Sequence, residues 1–178
     1  MVKELVERIR QKDQRAMSQF YQRYAGELSS VCYRYVPSED DAKDVLQNSF
    51  VKIFTSIPTI EYRSEEALKG WMKQVVTNEA LALLRNRKKL LFVERHGYEP
   101  LLDDDDPQPE RISPDTLHQL ISGLPDSYRT VVNLYIFENY THKQIAELLG
   151  IAESTSASQL HYAKQLLARK IKELTNGK

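Results

Sequence analysis

Between Ser154 and Lys172 the sequence sets small polar side chains first and cations after them. Ser154, Thr155, Ser158 and Gln159 are followed by His161 and Tyr162, and then by Lys164, Arg169, Lys170 and Lys172. On a helix lying in a major groove, short hydroxyl and amide groups near the N-terminus reach base edges, and cations further along reach phosphates. A plain helical bundle with a solvated polar face uses the same residue types, so the pattern alone leaves both readings open.

A second constellation lies earlier. Tyr62, Arg63 and Trp71 stand close in sequence to Lys69, Lys73, Gln74 and Asn78, and the run Arg85 to Lys89 adds Arg85, Arg87, Lys88 and Lys89. Aromatic rings beside cations suit single-stranded or melted DNA, where each stacked base contributes roughly 1–3 kcal/mol. A lone Trp on an apolar stripe also fits a core position, and a basic helix end also answers the helix dipole. Catalytic chemistry finds less support. His96, His118, His142 and His161 are scattered, and Asp103 to Asp106 lack the alternating ligands and Gly of a calcium loop. The expectation is therefore a binding protein that is not an enzyme, with no metal and no cofactor.

These groups need rigid supports, and apolar periodicity supplies them. After Leu124-Pro125-Asp126, Tyr128, Val131, Val132, Tyr135 and Ile136 recur at helical spacing and give a support helix one apolar face. Thr141-His142-Lys143-Gln144 has the T-x-x-Q form of a capping box and predicts a short helix carrying Ile145, Ala146, Leu148 and Leu149. Gly150 then supplies the left-handed closing residue, with Ile151 placed to pack back. A third helix begins within Ala152 to Ser154. Its inner stripe is Leu160, Ala163, Leu167, Ile171 and Leu174, while Ser154, Thr155, Ser158, Tyr162, Gln165 and Arg169 project outward. Together these form a helix-turn-helix.

The N-terminal half reads as a separate helical module. Val2, Leu5, Val6 and Ile9 make a short amphipathic helix, and Ala16, Phe20, Tyr24, Leu28, Val31 and Tyr35 carry a longer one to Pro37, with Cys32 inside it as a buried thiol. Ser38 to Asp41 opens a third helix as an S-x-x-D box. Ala42, Val45, Leu46, Phe50, Ile53, Phe54 and Ile57 line that helix up to Pro58. After the loop Thr59 to Ser64, Glu65 to Lys89 reads as one long helix with Leu68, Trp71, Met72, Val75 and Leu83 inward. From Gly97 the periodicity stops. Pro100, the four Asp, Pro107, Pro109 and Pro114 mark an acidic flexible linker that would avoid DNA phosphates while joining two modules.

With 178 residues, 41% hydrophobic and 28% charged, the chain can hold two small cores. Its formal net charge of +0 means that nucleic-acid binding must come from charge segregated along the chain. One cysteine excludes an intramolecular disulfide. The absence of a signal peptide or a long apolar run places the expected protein in the cytosol. The fold class is thus all-α: a helical bundle over 1–95, an acidic Pro-containing linker over 96–115 and a helix-turn-helix domain over 116–178.

Leu-Pro-x-x-Tyr-Arg followed by Thr-His-Lys-Gln-Ile-Ala-Glu-Leu-Leu-Gly-Ile, behind an acidic linker and a helical module, resembles a bacterial extracytoplasmic-function (ECF) sigma factor of the sigma-70 family. The resemblance covers nearly the whole chain, and the order and spacing of the motifs carry it more than any one of them. Asp41 to Phe50 looks like the family's core-polymerase-binding helix, Trp71 to Arg85 like its −10 recognition helix and Glu153 to Lys164 like its −35 recognition helix.

What the resemblance implies is a promoter-specificity subunit without an active site. It would bind core RNA polymerase at the clamp helices and flap, bind promoter DNA, and be held by an anti-sigma factor, often membrane-bound, in the bacterial cytoplasm, with no small-molecule substrate. Asp44, Gln47, Phe50 and Phe54 match the positions that dock on the clamp helices. Tyr62 and Arg63 match the loop that caps a flipped −10 base, and Asn78 the position contacting it, an apt place for an amide with donor and acceptor. Trp71 and Gln74 belong to the same −10 set, and Lys73, Arg85 and Lys88 would hold the backbone. On the −35 side the resemblance implies Ser154, Thr155, Ser158, Gln159, His161, Tyr162, Lys164 and Arg169. Departures occur at Ala157, Gln159 and Tyr162, where the family is usually basic, at Ala82, where it often has Asp or Asn, and at Asn48, where an acid is common. Fewer cations on the recognition helix imply a shallower salt dependence. The rival reading is a helix-turn-helix regulator that binds duplex DNA without polymerase.

Overall fold

The computed structural model describes residues 1–87 and 112–176, with side chains to Thr175, and among these all regular structure is helical. Most of the expected linker, together with His96 and the Asp103 to Asp106 run, lies outside the described residues. The chain divides into two compact units, Met1–Arg87 and Lys88–Lys178.

The first unit is built from α1 (Val2–Arg10), α2 (Gln14–Tyr35), α3 (Glu39–Ser56) and α4 (Glu65–Asn86). Side chains start three of them. Asp13 accepts from the amides of Arg15 and Ala16, Ser38 from Asp41, and Ser64 from Ala67, each satisfying a donor that has no partner within its helix. The amide bonds and the Arg8 side chain hold the Asp13 carboxyl below its usual range. Pro58 follows α3 closely, as the sequence predicts.

Apolar faces of α2, α3 and α4 enclose one core in which Phe20, Tyr24, Leu28, Tyr35, Ile53, Ile57, Met72 and Leu81 are essentially without solvent contact. Val2, Val6 and Ile9 seat α1 on this bundle. Cys32 is fully buried, and desolvation pushes its thiol up to about 12, so it is a core side chain and not a nucleophile at neutral pH. Trp71, Val75 and Leu83, expected inward, are only half-buried, whereas Leu68 and Met72 are core.

The second unit holds α5 (Pro114–Ser122), α6 (Asp126–Val132), a π-helical turn (Asn133–Phe137), α7 (His142–Leu149) and α8 (Glu153–Asn176). Helix α5 takes in the last two residues of the expected linker, 114 and 115, and runs into the expected helix-turn-helix domain. Ser113 caps it through the Thr116 amide, and Pro114 sits in its first turn, where a missing N–H costs nothing. Arg129, 3% exposed, ties α5 to α6: its Nη1 donates to the carbonyls of Ser122 (3.3 Å) and Leu124 (2.7 Å), and its Nη2 pairs with Asp126.

The support helix does not continue as one apolar stripe. At Asn133 the repeat widens to a π turn, Glu138 N donates to Asn133 O (3.0 Å), and Tyr135 and Ile136 are turned to solvent with Phe137. Thr141 and Gln144 form the expected capping box, with Gln144 Oε1 accepting from Thr141 N at 2.8 Å and Thr141 Oγ1 from Gln144 N at 3.2 Å. Gly150 adopts φ 67, ψ 38, and Ile151 N closes on Ala146 O at 3.1 Å, the left-handed ending the sequence predicts. On α8, Leu160, Ala163 and Ile171 are core. Leu174, expected on the same stripe, is 50% exposed. No described helix is long and apolar enough to cross a membrane.

Candidate nucleic-acid interface

Four surfaces emerge, two on each unit. On the first unit a groove of about 390 Å³ lies between the α3–α4 loop and the start of α4, lined by Ile60, Glu61, Tyr62, Arg63, Ala67, Leu68 and Trp71. The loop thus sets Tyr62 and Arg63 opposite Trp71, with an apolar floor between them. Helical spacing continues this face through Gln74, Asn78, Ala82 and Arg85, all exposed. The result is a strip of ring, amide and cation that can stack a base, read its edge and hold a phosphate. In the free protein Arg63 pairs with its loop neighbour Glu61 at 3.3 Å.

Lys73 does not share this strip. Two positions from Trp71, it lies on the flank of α4 that meets α2, where its Nζ is 2.9 Å from Glu27 Oε1, with Lys69 Nζ 3.4 Å from Glu27 Oε2. Glu27 is held below the usual carboxylate range chiefly by the Lys73 hydrogen bond. Next along this seam, Arg23 pairs with Glu65 at 3.0 Å, and Tyr24 donates its hydroxyl to the same carboxylate at 3.1 Å. The Arg23 bond lowers Glu65, and burial pushes Tyr24 up to about 12. In the free protein Lys73 is thus paired on this flank of α4, apart from the strip. Lys88 lies outside the described residues.

The second surface is the outer face of α3. Asp44, Gln47, Asn48 and Val51 recur at helical spacing and are exposed, Val51 to 59%. Phe50 does not belong to it. At 4% exposure it packs inward, its ring 4.5 Å from Tyr21 and 5.7 Å from the half-buried Phe54. The correction follows from the helix itself, since position 50 shares a face with the core residues at 42, 45, 49 and 53. Val51 is the exposed apolar residue of this face, and Tyr21 of α2, 44% exposed, lies against Phe50 at its edge; sequence reading singled out neither.

On the second unit Ser154, Ser158, His161, Lys164 and Arg169 are exposed along α8, as expected. Tyr162 is half-buried, with its ring 6.5 Å from Tyr128. Thr155 and Gln159 are corrected: both are buried, with Ser156 at 0%, because the inner stripe of Leu160 and Ala163 continues back by helical steps to 155, 156 and 159. Gln159 Oε1 has no hydrogen-bond partner. The turn preceding α8 is fixed by His142, whose Nδ1 lies 2.9 Å from Ser156 Oγ while its ring stacks on Tyr135 with centroids 4.6 Å apart. Tyr135, Ile136 and Phe137 leave an exposed apolar patch beside His118.

Comparison with known proteins assigns both units. Residues 20–90 match the family described as sigma-70 region 2, and residues 115–167 match sigma-70, region 4. An ECF RNA polymerase sigma-E factor of Haemophilus influenzae is 29% identical over 182 residues, covering 96% of this chain and 95% of that protein. The ECF RNA polymerase sigma factor SigW of Bacillus subtilis is 23% identical over 186 residues and covers 98% of each. Among solved structures, the sigma factor RpoE of Bartonella quintana, crystallised with the anti-sigma factor NepR, shares the fold with a TM-score of 0.53 at 18% identity. It covers 87% of this chain and 96% of that one.

Proposed function

The chain belongs to the sigma-70 family, in its extracytoplasmic-function branch, and from that premise we propose how its four surfaces divide the work of a promoter-specificity subunit. As a sigma factor it binds core RNA polymerase and directs initiation at promoters. The outer face of α3, with Asp44, Gln47, Asn48 and Val51 beside Tyr21, meets the polymerase clamp helices: an acidic and amide rim around apolar contacts suits a basic coiled coil. Tyr62, Arg63 and Trp71 hold an unstacked base of the −10 element, Asn78 and Gln74 read or steady it, and Arg85 meets the backbone. Ser154, Ser158 and His161 face base edges of the −35 element, with Lys164 and Arg169 towards phosphates. The exposed Tyr135, Ile136 and Phe137 offer the polymerase flap an apolar seat.

A sigma factor carries no active site, and this protein is read as a binding subunit that works in the cytoplasm. An anti-sigma partner, membrane-bound or not, would compete for the α3 face and the apolar patch of the second unit. The single observation that carries the division of labour is the groove in which the α3–α4 loop sets Tyr62 and Arg63 against Trp71. The test compares promoter-fragment binding by the purified protein with and without core polymerase. Specific binding that requires core supports the reading, and equal binding without it would replace it with a self-sufficient helix-turn-helix regulator.

A further inference from the structure

Helix α1 lies outside both family-matched segments, the first of which begins at residue 20, and none of the four surfaces uses it. Its last residue nevertheless reaches across the fold. Arg10 Nη2 donates to Ile60 O at 2.6 Å and Arg10 Nε to Ile57 O at 3.5 Å, joining positions 50 and 47 residues away. Nη1 is held from behind by Glu7 Oε1 at 2.7 Å, one helical turn earlier, and Ile9 anchors the same turn in the core.

The carbonyls it binds have a particular place. Ile57 caps α3, where carbonyls lack intrahelical partners, and Ile60 lines the groove two residues before Tyr62. A planar guanidinium with several fixed donors can bind two carbonyls at once, which sets the direction of the chain between them. Within the loop, Thr59 N and Ile60 N both turn back to Ser56 O, so its first half is a tight local turn. Arg10 supplies the connection from another element that fixes where the second half points. From this we infer that Arg10 is a positioning residue for base capture. By clamping the Ile57 and Ile60 carbonyls, it holds Tyr62 and Arg63 opposite Trp71 in the geometry a flipped base requires. The inference rests on the proposed reading of that groove, and deepens it by giving α1 a function.

Two readouts separate positioning from mere stability. The chain has one tryptophan, so Trp71 fluorescence reports this groove alone, and acrylamide quenching measures its cover in the DNA-free protein. With core polymerase bound, single strands of the −10 sequence from a promoter mapped by transcription, each carrying one abasic site, locate the position where base capture matters. Wild-type protein should bind about tenfold less tightly when that position is abasic, the effect of one lost base contact. Arg10→Ala should lose this sensitivity and expose Trp71 to quencher while still binding core polymerase. Arg10→Lys, which keeps the charge and stem but not the fork, should fall between and serves where the alanine variant does not fold. An unchanged abasic profile and unchanged quenching in Arg10→Ala and Arg10→Lys would overturn the inference, provided Trp71→Ala abolishes the abasic effect. If Trp71→Ala leaves that effect intact, the groove reading itself fails and the inference with it.

Discussion

Lys73 Nζ rests 2.9 Å from Glu27 Oε1, an ion pair that joins α4 to α2. Lys69 reaches the same carboxylate, and the ion pair of Arg23 with Glu65 continues the seam. The strip from Tyr62 to Arg85 keeps Arg63 and Arg85 as its cations, beside rings and amides.

This seam sets an acid response. Glu27 is held below its ordinary value of 4.5 by the hydrogen bond from Lys73, then by the charges of both lysines. A carboxylate with a lowered folded pKa stabilises the fold fully above its unfolded value, and that contribution disappears as pH falls through the folded value. Glu27→Gln should therefore lower stability at neutral pH, by under about 1 kcal/mol for a partly exposed pair. The wild-type advantage should shrink as pH drops below about 4.5, as seen in thermal melts across that range.

Phe50 and Gln47, one turn apart on α3, should separate stability from docking. Phe50→Ala empties a nearly closed site beside Tyr21 and Phe54 and should destabilise by about 3–5 kcal/mol. Gln47→Ala and Val51→Ala should leave the denaturation midpoint close to wild type while weakening core-polymerase affinity by about tenfold or more. Chemical denaturation and a core-binding titration read the two effects independently.

Gln159 is buried with its Oε1 unpaired, an arrangement that lowers stability. Gln159→Met, of similar length and without the amide, should raise stability by up to about 1 kcal/mol. It should leave −35 affinity near wild type, whereas Ser158→Ala and His161→Ala should lower that affinity without moving the Tm. Melting curves paired with binding to a −35 duplex by the core-bound protein decide this.

At Gly150 a Cβ would meet no atom within 4 Å, yet the residue sits at φ 67. Gly150→Ala should cost about 1–2 kcal/mol from backbone strain alone. Gly150→Asn should cost less, because Asn tolerates the left-handed region. Equal stability of the two variants would show that the turn before α8 can relax.

Much of the fold was legible in the sequence because capping residues and apolar spacing agree. The Ser38 cap, Thr141 to Gln144 and Gly150 each behave as local chemistry dictates. What was not legible depended on tertiary context. The π turn at Asn133 rotates Tyr135 and Ile136 out of a stripe that a uniform helical period places inward. The partner of Lys73, Glu27, lies 46 positions earlier in the chain, and no local pattern announces it. Thr155 and Gln159 look like readers because they are polar, but the α8 register buries them. Helix α5 was signalled by Ser113-Pro114 and masked by the proline-rich stretch before it. Arg10 offered no sequence signal, since its partners are backbone carbonyls, which any sequence possesses.

The most direct test of the account is transcription in vitro. Purified protein is added to bacterial core RNA polymerase on genomic fragments, start sites are mapped, and the assay is repeated with Gln47→Ala and Trp71→Ala. The account predicts discrete start sites that appear only with the protein. Gln47→Ala should lose them through weak core binding, and Trp71→Ala should lose them with core binding intact. Absence of any protein-dependent start site from a preparation that binds specific duplexes unaided would contradict it.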